Sequence, residues 1–296
     1  MIEIGNEKLG MGWLPDLPDY RDYTPEHEKI KPLLKEIKLT KVLTQTKKLS
    51  LPSSVDLRPW CSPVENQGSL GSCTAHAAVG LIEYYERRAF GSYIDASRLF
   101  LYKVTRNLLG LKGDTGAYLR TTMGAMRLFG VPPEKYWPYS IPDFDKEPPA
   151  FCYAFAQNYQ AIKYYRLDPP GVPLATLLLW IKAHLAAGLP SMFGFAVFSS
   201  IRQATDTGKI PFPCAGETLL GGHAVMAVGY DDSIKIKNEI CGKETTGALL
   251  IRNSWGREWG DNGYGWLPYE YVLRGLARDW WTLLKNEYIP TKQFGF

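Results

Sequence analysis

The chain has 296 residues, 45% of them hydrophobic and 22% charged, and a net charge of +4. These proportions suit a folded globular chain and exclude a largely disordered or collagen-like one. So small a charge does not argue for nucleic acid, and the longest apolar candidate, residues 173–197, is cut by Lys182, His184, Gly188 and Pro190, so no membrane span of ~20 apolar residues is expected.

Residues 1–25 are rich in Gly, Pro and Asp and read as extended or turning chain. Ile30, Leu33, Leu34 and Ile37 then recur at i, i+3, i+4 and i+7, which predicts a short helix from about Pro32, with proline in its first turn. Between Lys29 and Lys48 stand seven lysines and one acid, Glu36, giving +6 and leaving −2 for everything else. A solvated helix face and linker explains this segment; a polyanion-binding arm would interleave aromatics with its lysines. Residues 39–54 read as a linker. The chain start has no basic stretch followed by an apolar run, so no secretory signal is expected and the cytoplasm is slightly favoured.

A strong helix signal runs from Cys73 to Glu86, with Ser72 as its expected N-cap and Gly91 closing it. Further helices are expected over Leu119–Phe129 and Leu174–Ala187. The period then changes: Ser191–Val197, His223–Tyr230 and Ala248–Asn253 are short apolar runs bounded by Gly, Asp and Pro, and read as buried strands. Helices first and strands second predict an α+β chain.

Five cysteines, Cys61, Cys73, Cys152, Cys214 and Cys241, include no CxxC pair, so a zinc ribbon is not expected. Their pairing stays open, and buried thiols are the simplest reading. His27, His76 and His184 show no metal-ligand spacing, Asp143, Asp145, Asp231 and Asp232 read as solvated loop acids, and Gly110–Gly116 lacks the Lys-Ser/Thr of a phosphate loop. No metal or cofactor is expected.

Cys73 stands at the start of a helix, where unpaired N–H groups and the positive dipole end favour thiolate. His223 opens an apolar strand and Asn253 ends another. A nucleophile needs a base, and the base needs a residue to fix its tautomer; Cys, His and Asn can fill those roles. Gln67, six residues before Cys73, adds an amide donor suited to a developing oxyanion.

Three blocks carry a resemblance: Asn66-Gln67-Gly68-Ser69-Leu70-Gly71-Ser72-Cys73; Gly222-His223-Ala224-Val225 with Val228-Gly229-Tyr230; and Asn253-Ser254-Trp255-Gly256 continuing to Tyr264. In this order they resemble the signature blocks of papain-like cysteine peptidases, with His223 lying 150 residues after Cys73. Val55-Asp56-Leu57-Arg58 resembles the start of the mature enzyme, and the resemblance covers roughly residues 51–272. It implies a papain-like two-lobed fold with the active-site cleft between a helical lobe (about 60–165) and a β-barrel-like lobe (about 166–296). Residues 51–296 would be the catalytic domain and residues 1–50 a leader or surface arm.

The resemblance further implies that Cys73 attacks, His223 moves the proton, Asn253 orients it and Gln67 holds the oxyanion. Trp255 would shield the His223–Asn253 bond and Trp259 would line the leaving-group side. Gly116 and Ala117 would pair with the substrate backbone, and Tyr118, Leu119, Gly221, Gly222 and Ala224 would border the substrate, with an apolar side chain preferred. Leu70 stands where most relatives have a disulfide cysteine, Thr74 where Trp is usual and Ala117 where a second Gly is usual. The missing bridge fits a reducing compartment or a bacterial or archaeal type of relative. The expected activity is peptide-bond hydrolysis through a thioester acyl-enzyme. Two alternatives are an inactive binding protein on this fold and acyl transfer to an amine. Partners are peptides or proteins, and the first fifty residues are expected either to occupy the cleft as an inhibitory leader, using Trp13, Leu14, Leu17, Tyr20 and Tyr23, or to strap the surface.

Overall fold

A computed structural model describes residues 2–4, 7–36, 39 and 51–286. After a small hairpin, β1 (Ile2–Ile4) with β2 (Glu7–Leu9), come strand β3 (Trp13–Leu14) and helix α1 (Lys31–Glu36). In α1 Pro32 sits in the first turn, Ile30 and Leu34 are buried, and Lys29, Lys31 and Lys35 are exposed, so the described part of the basic segment is a solvated face. Ile37, most of the expected linker and the remaining lysines lie outside the described residues.

The helical elements are α2 (Cys73–Phe90), α3 (Arg98–Leu108), α4 (Leu119–Leu128) and α5 (Ala150–Ala156). Alanine and leucine carry α2, which ends at Gly91 in a left-handed conformation (φ 70°) that a β-carbon would penalise. Ser72 does not cap it as expected. Its hydroxyl is taken by Tyr139 Oη at 2.7 Å, leaving the first-turn amides for other partners. Helix α3 buries its apolar residues Leu99, Phe100, Leu101 and Val104 and also its cations, which are paired: Arg98 with Glu83 (3.1 Å) and Arg106 with Asp145 (2.8 Å). Glu83 also accepts hydrogen bonds from Ser62 and from the Ala96 amide, the satisfaction a buried ion pair needs.

The seven-stranded antiparallel sheet contains β4 (Ser54–Asp56), β6 (Ala161–Arg166), β7 (Ser191–Phe198), β8 (Leu219–Lys237), β9 (Glu244–Arg252), β10 (Tyr264–Pro268) and β11 (Ala277–Asn286). Its order is β10-β9-β8-β7-β11-β6, with β4 added on β8. Helix α6 (Leu174–Ala186) and the single turn α7 (Tyr269–Leu273) lie against it. Phe193 of β7 stacks on Trp280 of β11 at 3.9 Å, and Phe195 and Tyr271 extend this core. Helix α2 packs on β7 and β8, which brings its first residue to the strand that carries His223. The two-lobed α+β arrangement is the expected one.

Cys214 and Cys241 form a disulfide, whereas Cys61, Cys73 and Cys152 are free and buried. This corrects the expectation of buried thiols for that pair. The bridge ties the chain just before β8 to the β8–β9 turn, partners only the fold brings together. Asp231 and Asp232 lie in β8 and not in a loop; Asp232 is exposed, pairs with Lys182 (2.6 Å) and accepts from Tyr269 Oη (2.7 Å). Asp145 is an exposed turn residue, as expected, and it also pairs with Arg106 and accepts from the Gly113 amide (3.1 Å). Among the described residues no helix is long and apolar enough to cross a membrane.

Candidate active site

Cys73 is the first residue of α2 and is fully buried. Its Sγ accepts the Ala224 amide at 3.3 Å and the Gly12 amide at 3.2 Å. Burial pushes the thiol up to about 11, outweighing the amides that favour thiolate. In this state, therefore, the helix N-terminus does not yield the thiolate its position suggested.

His223 precedes Ala224 on β8, facing Phe195 of β7 in register. Its Nε2 lies 2.7 Å from Asn253 Oδ1, at the end of the β9 segment. The same oxygen accepts the Ser254 amide at 2.8 Å, which fixes it as the acceptor. Nε2 must then carry the proton, and the neutral ring presents an unprotonated Nδ1. That Nδ1 is buried with no hydrogen-bond partner among the described residues. Burial lowers the imidazole to about 4, with the Asn253 bond opposing. Trp255 stacks on the ring at 4.4 Å and 22°, and Trp259 meets Trp255 edge-on at 5.5 Å.

Gln67 is held on both sides: Oε1 accepts from Ser254 Oγ (2.6 Å), and Nε2 donates to Leu70 O (2.7 Å). The loop before Cys73 is fixed by Asp114, whose Oδ1 accepts the Gly71 amide (2.9 Å) and Tyr102 Oη (2.6 Å). Asp114 and Tyr139, which donates to Gln67 O (2.9 Å), were not singled out from sequence; isolated loop residues give no periodic signal.

The other residues gather here too. Ala117 and Tyr118 form strand β5, paired in parallel with Trp13 and Leu14 of β3, and the Ala117 amide donates to Gly12 O at 2.8 Å. Leu119 is buried at the start of α4. A β-carbon on Gly116 would strike Gly12, one on Gly221 would approach the Met11 methyl at 3.3 Å, and one on Gly222 would meet Trp13. Trp255 Nε1 donates to Gly10 O at 3.1 Å, and the Gly10 amide donates to Gly68 O at 2.7 Å. Gly10 and Gly12 pass so close to the carbonyls of Leu70 and Gly71 that a β-carbon on either would collide with backbone. Of the five N-terminal side chains expected to make contacts, Trp13 is buried, Leu14 and Tyr23 are half-buried, and Leu17 and Tyr20 are exposed.

The family profile described as "Papain family cysteine protease" matches residues 51–274. The chain belongs to the papain family of cysteine proteases. It is therefore a hydrolase of the thiol-protease class. It is 33% identical over 287 residues to an uncharacterized peptidase C1-like protein of Acanthamoeba polyphaga mimivirus, covering 92% of this chain and 86% of that one. Among solved structures it resembles xylellain, a cysteine protease from Xylella fastidiosa, with 34% identity, a TM-score of 0.74 and coverage of 98% and 99% of the two chains. Chymopapain of Carica papaya is 27% identical over 247 residues; the alignment spans 82% of this chain but only 61% of that longer papain-family relative.

Proposed function

We propose that this papain-family enzyme hydrolyses peptide bonds of peptides or proteins through Cys73, His223 and Asn253, assisted by Gln67, and that residues 1–50 hold it in a self-inhibited, zymogen-like form. The observation that carries the reading is the His223 ring: Nε2 is tied to Asn253, while Nδ1 is free of a proton and of any partner, beside the strand amide that touches Cys73 Sγ.

In this mechanism His223 Nδ1 takes the thiol proton as Sγ bonds to the scissile carbonyl carbon. The oxyanion is met by Gln67 Nε2 and the Cys73 amide. As the C–N bond breaks, Nδ1 returns the proton to the leaving amine, leaving a thioester. Water, losing a proton to the same Nδ1, then attacks the thioester carbon; the C–S bond breaks, the acid leaves, and Nδ1 returns the proton to Cys73 Sγ. Asn253 holds the tautomer, the indole of Trp255 keeps water from the His223–Asn253 bond, and Trp259 lines the leaving-group side. Gly116, Ala117 and Tyr118 would offer the substrate the backbone edge now paired with β3.

The self-inhibition reading is supported by the Gly12 amide on Sγ, Gly10 O on Trp255, and the β3–β5 pairing. With this segment in place the thiol and imidazole stay neutral; its departure would return water and lower the thiol pKa. The Cys214–Cys241 bridge would persist in an oxidising compartment, which weighs in any assignment of cellular location.

The test is Cys73→Ser. Hydrolysis of an unstructured peptide should fall below detection while the melting temperature is kept, because an alkoxide is far harder to form than a thiolate. Activity near that of the unmodified chain would remove Cys73 from its role.

A further inference from the structure

We infer that Asp279 makes the substrate slot beside the reactive pair selective for a flat aromatic side chain with an N–H donor at its far edge, that is, for tryptophan. This rests on the proposal that substrate replaces the N-terminal segment over Cys73.

The slot is visible because Trp13 fills it. Trp13 directly follows the residue whose amide touches Cys73 Sγ, so a side chain in the slot belongs to a residue neighbouring the one over the thiol. Its walls are backbone. A β-carbon on Gly194 of β7 would fall inside the indole, and one on Gly222 of β8 would sit 2.7 Å from Cε3. Two glycines on adjacent strands thus leave a gap the thickness of one ring, one residue before His223.

The end of the slot is polar. Trp13 Nε1 donates to Asp279 Oδ2 at 3.0 Å, and the Asp16 amide donates to the same oxygen at 2.8 Å. The other oxygen, Oδ1, is held by Arg166 Nη2 at 2.6 Å. Asp279 is buried while residues 13–16 cover it. Both donors on Oδ2 come from residues 13–16. When that segment leaves, Oδ2 loses both donors, and an occupant that fills the slot and displaces water must bring a donor or leave it unsatisfied. Phenylalanine and leucine fill the walls but not the acceptor. Tryptophan does both, which narrows the apolar preference implied by the family resemblance. A site built around a hydrogen bond discriminates strongly against an occupant lacking it; here roughly tenfold is expected, because Arg166 already supports the carboxylate.

The experiment uses the full chain carrying Gly12→Ala and Trp13→Ala, which empties the slot. Peptides identical except for Trp, Phe, Leu or Arg at one position are compared by kcat/KM. Their binding to the same chain with Cys73→Ala is measured in parallel. The inference expects Trp above Phe and Leu by about tenfold, with Arg below Trp. Asp279→Asn should erase the Trp advantage: Arg166 only donates, so the amide oxygen must turn to it and an NH2 group faces the slot. Asparagine tolerates the φ of 58° at this position. Gly194→Ala leaves Asp279 and Arg166 untouched and should cost Trp peptides more than Leu peptides. Equal rates for Trp and Phe, Arg at or above Trp, no binding of any peptide, or a Trp:Phe ratio unchanged by both variants would overturn the inference. Preferential binding without hydrolysis would instead refute the catalytic roles and leave the slot standing; hydrolysis without preference would do the reverse.

Discussion

The amide of Gly12 points at the sulfur of Cys73 from 3.2 Å, two residues that are sixty-one positions apart in the chain. Gly12 can come this close because it lacks a β-carbon, which would collide with Gly71 O, two residues before Cys73.

Gly12→Ala in the full chain should therefore act as an activating substitution. The methyl group forces β3 off β5 without touching the reactive residues. Peptide hydrolysis should rise about tenfold or more, since a backbone collision destabilises the closed state by at least ~1.4 kcal/mol. Steady-state rates on a small peptide check this, and an unchanged rate would mean that the segment does not restrain the enzyme.

Asn253 bonds to the imidazole, and the proposed mechanism gives it no contact with substrate. Asn253→Ala should leave a weaker but measurable peptidase, while His223→Ala should lose activity by at least a further tenfold, because orientation assists a reaction that the base carries out. Turnover of the two purified, equally folded variants gives the ranking. The reverse order would exchange their roles.

The anchor of the N-terminal segment should respond to pH. Asp16 lies buried among Asp22, Asp168, Asp279, Arg120 and Arg166, and accepts from Trp281 Nε1 at 3.0 Å. Burial, then Asp279, pushes its carboxyl up to about 7, against the Trp281 bond and the two arginines. A pKa raised in the anchored state means that anchoring takes up a proton. The contribution is fully present below the ordinary carboxylate value near 3.8 and is lost as pH rises through about 7. Asp168, raised to about 6 by burial, has the same sign. The activity of the full chain relative to its Gly12→Ala variant should accordingly climb between pH 4 and 7. Asp16→Asn, which mimics the protonated acid, should flatten the climb. A ratio that falls with rising pH would contradict the account.

Much of the site was legible in sequence because its parts sit where the pattern changes: Cys73 heads an alanine-rich helix, His223 begins the buried stretch of β8 although the strand itself starts at Leu219, and Asn253 directly follows β9. What escaped has physical reasons. Helix α3 presents Leu101, Val104 and Leu108 at i, i+3 and i+7, but local pattern does not reveal that Arg98, Lys103 and Arg106 on its other side are buried too, because their partners Glu83 and Asp145 lie elsewhere in the chain. Strand β11 was hidden by Arg278 and Asp279 and by an irregular register against β7. The Cys214–Cys241 bridge depends on the β8–β9 turn, which local patterning does not reveal. Residues 13–16 read as an extended segment, but which of its aromatics is buried depends on two glycines on adjacent strands, about 180 and 210 residues downstream.

The central claim is that Cys73 is the nucleophile and that the N-terminal segment lies over it. Labelling the full chain and its Gly12→Ala variant with a thiol-directed peptidyl epoxide, followed by peptide mapping, tests both parts at once. The account predicts modification at Cys73 and not at the buried Cys61 or Cys152, slow in the full chain and at least several-fold faster in the variant. Labelling at another cysteine, or equal rates at Cys73 in the two proteins, would contradict it.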